Sequence, residues 1–273
     1  MDKEILEPAH YVEEKISGVF SKLLSREVNI NLLLPSGWAT ESKTYPLLLL
    51  NDGQDMDKLK IKETLEKLYA QSLIGEIIVA GVVAGDRMQE YGVAAKRDYL
   101  KRGSKAKAYA QYIVTELIPY LTYKYPVNKQ ERYTIAGCSM GGLSALDIAW
   151  NHPKLFSKSG AFSGAFWWRK RNSKSRFYSD ARDRIMHQQI SSGRKRTGMK
   201  FWFQAGTEDE KNDRNKNGVI DSIDDTLDLI VELTKKGYRP FHDIQYLEVT
   251  GGHHNLETWA EAMPVFLKWA FGE

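Results

Sequence analysis

One stretch of the sequence decides the fold: Thr134-Ile135-Ala136-Gly137-Cys138-Ser139-Met140-Gly141-Gly142. Its three leading residues predict a short buried strand, and the residues after Ser139 have the spacing of a helix that continues to Trp150. The pattern Gly-x-Ser-x-Gly at such a junction is typical of a very sharp turn, since small residues on both sides of the serine let strand and helix approach. A glycine-rich turn without chemistry is the alternative.

Short apolar runs alternate with helical patterns along the rest of the chain. This rhythm favours an α/β fold, with a mostly parallel central sheet and helices on both of its faces. Further strands are predicted at residues 28–34, 47–50, 77–83, 201–205 and 244–249, and helices at 57–70, 105–124 and 255–271. Pro264 is expected to kink the last helix.

The length of 273 residues favours a single domain over residues 1–273. Residues 169–198 are irregular, polar and too long for an ordinary loop, which predicts an insertion or lid. Between Arg169 and Lys200 eleven Lys or Arg stand against two Asp, whereas the whole chain carries only +4. Such a cluster can attract anions, although a solvated surface is the favoured interpretation, and no nucleic-acid-binding motif accompanies it.

The composition is that of an ordinary globular protein, with 42% hydrophobic and 27% charged residues. Cys138 is the single cysteine and can form no internal disulfide. The start of the chain lacks the pattern of a signal peptide, and no apolar run reaches about 18 residues. We therefore expect no membrane partner and a cytoplasmic location, although prior removal of a signal peptide would be compatible with export.

Ser139 has candidate partners for nucleophilic chemistry later in the chain. His253 and His254 follow the last predicted strand, where a loop can bring an imidazole over the serine, and either can be the general base. The other four histidines are less well placed: His10, His152, His187 and His242. Asp209 follows the predicted strand at 201–205 and is the favoured acid, with Glu208 and Glu210 as competitors.

Two main-chain N–H groups are candidates for stabilising an oxyanion. The N–H of Met140 lies at the predicted helix N-terminus beneath the serine. The N–H of Gln54 follows the strand at 47–50 in the run Leu50-Asn51-Asp52-Gly53-Gln54. A plain turn at the second position would look similar.

With these pieces in place, most of the chain resembles the putative esterase family, which includes enterochelin esterases, feruloyl and acetylxylan esterases, S-formylglutathione hydrolase and mycolyltransferases. The segments that carry the resemblance are Tyr45 to Gln54, Arg87 with Glu90-Tyr91, Gly137 to Gly142, Ser163 to Trp168, and the Gly-His segment from Gly251 to His254. The resemblance implies an α/β-hydrolase fold with a serine, acid and histidine triad and no cofactor for catalysis.

The family pattern also selects among the open alternatives. It places the catalytic histidine five residues before a tryptophan, which implies His254, counted back from Trp259. It places the acid third after the glycine at a strand end, which implies Asp209 after Gly206. One departure is Asn51, where relatives often carry leucine before Asp-Gly.

The run from Asp213 to Asp224 matches a calcium loop of the EF-hand or dockerin kind. Oxygen side chains stand at loop positions 1, 3, 5, 9 and 12, with glycine at position 6 and a main-chain carbonyl at position 7. These expected ligands are Asp213, Asn215, Asn217, Val219, Asp221 and Asp224. The alternative is a polar turn followed by a helix.

These observations predict a serine carboxylic-ester hydrolase that acts on a small-molecule or saccharide ester through an acyl-enzyme. Trp167 and Trp168 could form a wall for an aromatic or sugar-bearing substrate, or could pack in the core. Arg87 is expected to contact substrate. The alternatives are an acyltransferase with the same triad and a non-catalytic binding module, and the sequence indicates no oligomeric state.

Overall fold

The computed structural model describes residues 10–272, and its centre is one sheet of eight strands. The strands are β1 (Tyr11–Ser21), β2 (Arg26–Pro35), β3 (Leu47–Asn51), β4 (Ile78–Val82), β5 (Tyr133–Cys138), β6 (Phe156–Phe162), β7 (Lys200–Glu208) and β8 (Ile244–His253). Their order is β1-β2-β4-β3-β5-β6-β7-β8. Only the β1–β2 and β2–β4 pairs are antiparallel, so the predicted mostly parallel sheet is confirmed.

Helices cover both faces of this sheet. They are α1 (Ile61–Ala70), α2 (Arg87–Glu90), α3 (Ala106–Tyr112), α4 (Ile118–Lys124), α5 (Met140–Asn151), α6 (Asp180–Asp183), α7 (Ile185–Ser192), α8 (Asp221–Lys235) and α9 (Leu256–Phe271). A π-helical turn, Ile113–Leu117, joins α3 to α4. Between residues 10 and 272, none of the helices has the length and apolar character needed to cross a membrane.

The central strands are buried on both sides, which explains their continuous apolar runs. In β3, Leu47 and Leu49 belong to one hydrophobic cluster, while Leu48 and Leu50 belong to another on the opposite face. Residues of α3 to α5, α7 and α8 pack in the first cluster, and residues of α1 and α9 pack in the second. The sheet therefore separates two cores, as in the predicted α/β architecture.

Two strands and one boundary differ from the sequence-based expectation. Strand β1 lies at the sheet edge and exposes much of its surface, so its sequence lacks a clear apolar pattern. Strand β6 contains Gly160, where an added Cβ would lie 2.4 Å from the ring of Phe266. The helix predicted from residue 57 begins only at Ile61, because Lys60 has a left-handed φ of 51°.

The basic segment at 169–198 contains α6 and α7 and is fixed to α8 by a buried ionic cluster. Asp225 Oδ1 accepts hydrogen bonds from Arg184 Nη1 at 2.7 Å and from Arg214 Nη2 at 2.6 Å. Arg184 also contacts Asp228, and Arg214 contacts Asp180 of α6. Several of the remaining cations are exposed, as a solvated surface requires: Lys170, Arg171, Lys174, Arg176 and Arg182.

We expect Asp225→Ala to lower the free energy of unfolding by about 3–5 kcal/mol, because the side chain is 1% exposed and its loss leaves two buried arginines without their shared carboxylate. Asp228→Ala is the matched control, since that side chain is 53% exposed and contacts Arg184 alone. It should cost less than about 1 kcal/mol in urea unfolding. Equal losses of unfolding free energy in the two variants would contradict the stabilising role of the buried ionic cluster around Asp225.

Candidate active site

Ser139 occupies the sharp turn between β5 and α5. Its φ of 55° and ψ of −119° lie in a sparsely populated region, which costs on the order of 1–3 kcal/mol for a residue with a side chain. The main chain of Ser139 is held from the neighbouring strand: its N–H donates to the carbonyl of Phe162 at 2.8 Å, and its carbonyl accepts from the N–H of Ala165 at 3.0 Å. Main-chain hydrogen bonds on both sides therefore hold the strained conformation.

Small residues around Ser139 are a steric requirement. A Cβ on Gly137 would lie 2.6 Å from the carbonyl carbon of Gly141, and one on Gly142 would lie 2.9 Å from the carbonyl oxygen of Gly137. A Cβ on Gly141 would approach Asp52 Oδ2 to 2.9 Å. Strand, helix and the loop after β3 thus meet at distances that glycine alone allows.

Ser139 and His254 line one cleft of about 460 Å³ at the carboxyl edge of the sheet. His254 follows β8, and its ring meets Trp259 edge-on, with centroids 5.1 Å apart and an interplanar angle of 81°. The indole N–H of Trp259 donates to Ser163 Oγ at 2.9 Å. The aromatic support of the histidine is therefore itself anchored beside β6.

The surroundings of His254 favour its neutral form. Partial burial of the ring lowers the pKa below its ordinary value of 6.5. The negative charge of Asp209 raises the pKa, and the positive charge of Arg87 lowers it. The balance leaves an imidazole that can accept a proton at neutral pH.

The three candidate acids have different surroundings. Both carboxylate oxygens of Asp209 are buried and have no hydrogen-bond partner among the described residues, and their charge acts on His254. Glu208 forms an exposed pair with His253, with Oε2 3.4 Å from Nε2. Glu210 accepts a hydrogen bond from Asn212 Nδ2 at 2.7 Å. The geometry therefore leaves Asp209 available to His254 and directs the two glutamates elsewhere.

The loop after β3 is tied to the serine turn by side chains to which the sequence analysis assigned no role in the site. Asn51 Nδ2 donates to the carbonyl of Gly141 at 2.7 Å, and Tyr109 donates to Asn51 Oδ1 at 2.7 Å. The main-chain N–H of Asp52 donates to the hydroxyl oxygen of Tyr91, with the two atoms 3.0 Å apart. The departure at Asn51 was the available signal, because a leucine could form neither of the amide contacts.

Arg87, expected to contact substrate, forms a two-point ion pair with Asp52. Its Nε lies 2.9 Å from Oδ1 and its Nη2 lies 3.1 Å from Oδ2. Nη2 also donates to the carbonyl of Cys138 at 3.1 Å. Arg87 lines the cleft. Its contacts with Asp52 and Cys138 also connect the loop after β3 to the serine turn.

The two tryptophans expected to form a substrate wall lie away from the cleft lining. Trp168 is fully buried, and its indole N–H donates to the carbonyl of Lys96 at 3.3 Å. Trp167 is partly buried against the same core, with the guanidinium of Arg102 over its ring at 4.7 Å. The burial of Trp168 therefore favours the core-packing alternative for this residue.

The loop expected to bind calcium brings four of its side chains together. Asp224 Oδ2 accepts from Asn215 Nδ2 at 2.8 Å and from Asn217 Nδ2 at 2.9 Å. The carboxylate of Asp213 accepts from the N–H of Asn217 at 3.2 Å and from that of Gly218 at 2.9 Å. Gly218 has a φ of 87°, which explains the glycine at this position.

Asp221 differs from the other expected ligands, because it faces Arg214. Its Oδ1 accepts from the N–H of Arg214 at 2.8 Å and lies 3.1 Å from Nη1 of the same residue. Within residues 10–272, no group of three or more His, Cys, Asp or Glu side chains is arranged to hold a metal ion. A cation in this loop would thus depend on amide and main-chain oxygens as well as carboxylates.

Comparison with known proteins gives the same fold. The uncharacterized protein YbbA of Bacillus subtilis (strain 168) is 22% identical over 263 residues, which cover 94% of this chain and 98% of that protein. A ferulic acid esterase structure superposes with a TM-score of 0.72 at 19% identity, covering 96% of this chain and 98% of the other. The enterobactin esterase FES from Shigella flexneri also gives 0.72 at 19% identity, covering 94% of this chain and 58% of that chain.

Family membership follows from the sequence match. The family described as "Putative esterase" matches residues 21–270, which include the serine turn, the loop after β3, and the segments that carry Asp209 and His254. The chain therefore belongs to this esterase family and is a carboxylic-ester hydrolase with the α/β-hydrolase fold.

Proposed function

We propose that the chain hydrolyses esters through an acyl-enzyme formed on Ser139, with His254 as general base and Asp209 as the acid that orients it. The observation that carries this proposal is the shared cleft: Ser139, in a strained turn, and His254, in its neutral form, line the same cavity. The buried, unpartnered carboxylate of Asp209 acts electrostatically on the same imidazole. These observations support the roles of nucleophile, base and orienting acid that acyl transfer requires.

In the proposed reaction, His254 takes the proton of Ser139 as its hydroxyl oxygen attacks the ester carbonyl. The carbonyl oxygen becomes an oxyanion, for which the N–H groups of Met140 and Gln54 are the proposed donors. Met140 is the first residue of α5 and Gln54 lies in the short 3-10 turn Gly53–Asp55, so neither N–H has a partner within its own helical turn. His254 then protonates the oxygen of the leaving alcohol. Water next attacks the acyl-enzyme while His254 takes a proton from it, and His254 returns that proton to Ser139 as the acid product leaves.

The proposed substrate is a small-molecule or saccharide ester, because the cleft, at about 460 Å³, has the size of an ordinary ligand pocket. The named relatives act, by their titles, on ferulate and enterobactin esters, two different chemical classes. Arg87, at the cleft wall, is proposed to contact substrate through the part of its guanidinium that faces the cavity. Product analysis in the presence of alcohols distinguishes hydrolysis from transfer to an alcohol acceptor.

We expect a fluorophosphonate probe to label the wild-type protein once and to spare Ser139→Ala, because only an activated serine reacts with the probe. Hydrolysis of 4-nitrophenyl acetate should fall by at least about 10³-fold in the same variant. Ser192→Ala is the matched control, since this exposed serine donates to the carbonyl of Gln188 on α7 and should keep both activities. An unlabelled wild-type protein would refute the proposed function.

The acid assignment predicts different effects for two adjacent carboxylates. Asp209→Asn should lower kcat on the order of 10³- to 10⁴-fold, whereas Glu208→Gln, at an exposed surface pair, should change it less than about threefold. The wild-type acid limb of kcat/KM should have its midpoint below pH 6.5, since activity needs neutral His254 and its pKa is lowered. Asp209 raises that pKa, so Asp209→Asn should move the midpoint further down, and an upward shift would contradict the assignment.

We also propose that the loop from Asp213 to Asp224 binds a structural Ca²⁺. Side-chain oxygens of Asp213, Asn215, Asn217 and Asp224 would hold the cation, with the carbonyl of Val219 and with Asp221 acting through water. The contacts that gather these side chains support the fit, while the contact of Arg214 with Asp221 explains why Asp221 would not coordinate the cation directly. The loop begins four residues after Asp209, so an ordered loop would also restrain the acid.

Calcium should therefore raise the melting temperature of the chelator-treated protein by several degrees, because a ligand at about 100 times its Kd adds about 2.7 kcal/mol to the free energy of unfolding. Asp224→Ala should abolish this shift, since it removes the oxygen that both asparagines contact. Asp57→Ala, an exposed carboxylate on a different loop, should retain it. Identical melting temperatures for wild type with calcium and with chelator would exclude the site.

A further inference from the structure

We infer that Ser163 is a positioning residue for His254 and acts through the indole ring of Trp259. The inference rests on the proposed esterase reaction, in which His254 is the general base for Ser139. It extends that reaction to a buried serine that does not line the cleft.

The main chain beside His254 is fixed by the first turn of α9, because the N–H of His253 donates to Thr258 Oγ1 at 2.9 Å. The imidazole itself is held differently. Within residues 10–272 it forms no hydrogen bond, and the charge of Asp209 does not by itself set the plane of a ring. The edge-on contact with Trp259 therefore determines where the imidazole of His254 points.

The indole of Trp259 is held in turn by one hydrogen bond. The side chain is buried beside the cleft, and its Nε1–H donates to Ser163 Oγ at 2.9 Å. An indole has a single donor group, so this bond fixes which edge of the ring faces the end of β6. The side of the ring that contacts His254 is fixed by the same bond.

Ser163 makes this contact from a strained conformation. Its φ of 44° lies in the left-handed region, which glycine adopts freely and a residue with a side chain does not. Its N–H donates to the carbonyl of Gln204 at 2.8 Å, and its hydroxyl donates to Gln204 Oε1 at 3.4 Å. The lone pairs of the hydroxyl oxygen then accept the indole N–H. This acceptor explains the serine, because glycine would relieve the strain but leave a buried N–H unpaired.

The place of Ser163 in the chain also ties the proposed base to the proposed nucleophile. Ser163 follows Phe162, whose carbonyl accepts from the N–H of Ser139, and it comes two residues before Ala165, whose N–H donates to the carbonyl of Ser139. One short segment therefore holds the main chain of Ser139 and, through Trp259, the ring of the base.

The test is Ser163→Gly, which removes the hydroxyl and suits a φ of 44°. His254 is the base in both acylation and deacylation, so a displaced ring should lower kcat for 4-nitrophenyl acetate about tenfold and change KM less than about twofold. Fluorophosphonate labelling should slow by a similar factor. The melting temperature should be no lower than that of Ser163→Ala, whose side chain is strained at this φ. Ser159→Ala is the matched control, because this buried serine of β6 has no hydrogen-bond partner among the described residues and should keep wild-type kcat.

Trp259→Phe is a second test, since it keeps an aromatic ring beside His254 and removes the indole N–H. Because both changes break one hydrogen bond, the double variant with Ser163→Gly should lose no more kcat than the more damaged single variant. Unchanged kcat in Ser163→Gly, an effect on KM alone, or losses that multiply in the double variant would each overturn the inference. A wild-type protein that neither hydrolyses 4-nitrophenyl acetate nor reacts with the fluorophosphonate probe would instead refute the proposed function on which the inference rests.

Discussion

The conformation of Ser139 is the constraint on which the rest of the site depends. A serine at φ 55° and ψ −119° stays there only while its main chain is held by Phe162 and Ala165 and while glycines let α5 lie close to β5. The same geometry places Ser139 at the N-terminus of α5, where the helix dipole would stabilise the negative charge that develops in the proposed reaction. Burial of the large sheet stabilises the fold and so offsets the conformational free energy that this strained turn costs.

Much of the fold could be predicted because the central strands carry a simple signal. Strands buried on both faces need continuous apolar residues, as in β3 and β4, and the turn at Ser139 needs its glycines. The signal fails where packing is decided by distant residues. Gly160 is small because Phe266 lies against it, and no local pattern in β6 reveals that contact.

The candidate site shows the same division. Position along the chain pointed to Ser139, to Asp209 and to the pair His253 and His254, because parallel strands bring the loops at their carboxyl ends together. The family resemblance then selected His254 from that pair. Trp168 shows the limit of that reasoning, since a tryptophan beside a site can equally fill the core, and its exposure depends on Gly92 and Gly103 elsewhere in the chain. Likewise, the shared contact of Arg184 and Arg214 with Asp225 joins segments that are far apart in sequence.

The amide of Asn51 has a consequence for how the enzyme fails. It contacts the carbonyl of Gly141 on one side and the hydroxyl of Tyr109 on the other, so the loop after β3 and the serine turn are joined through the centre of the sheet. Neither half of the proposed oxyanion pocket can open by itself without breaking buried polar contacts. Inactivation by heat should consequently follow the cooperative melting of the sheet centre, with no inactive species in which the strands remain intact and only the pocket has come apart.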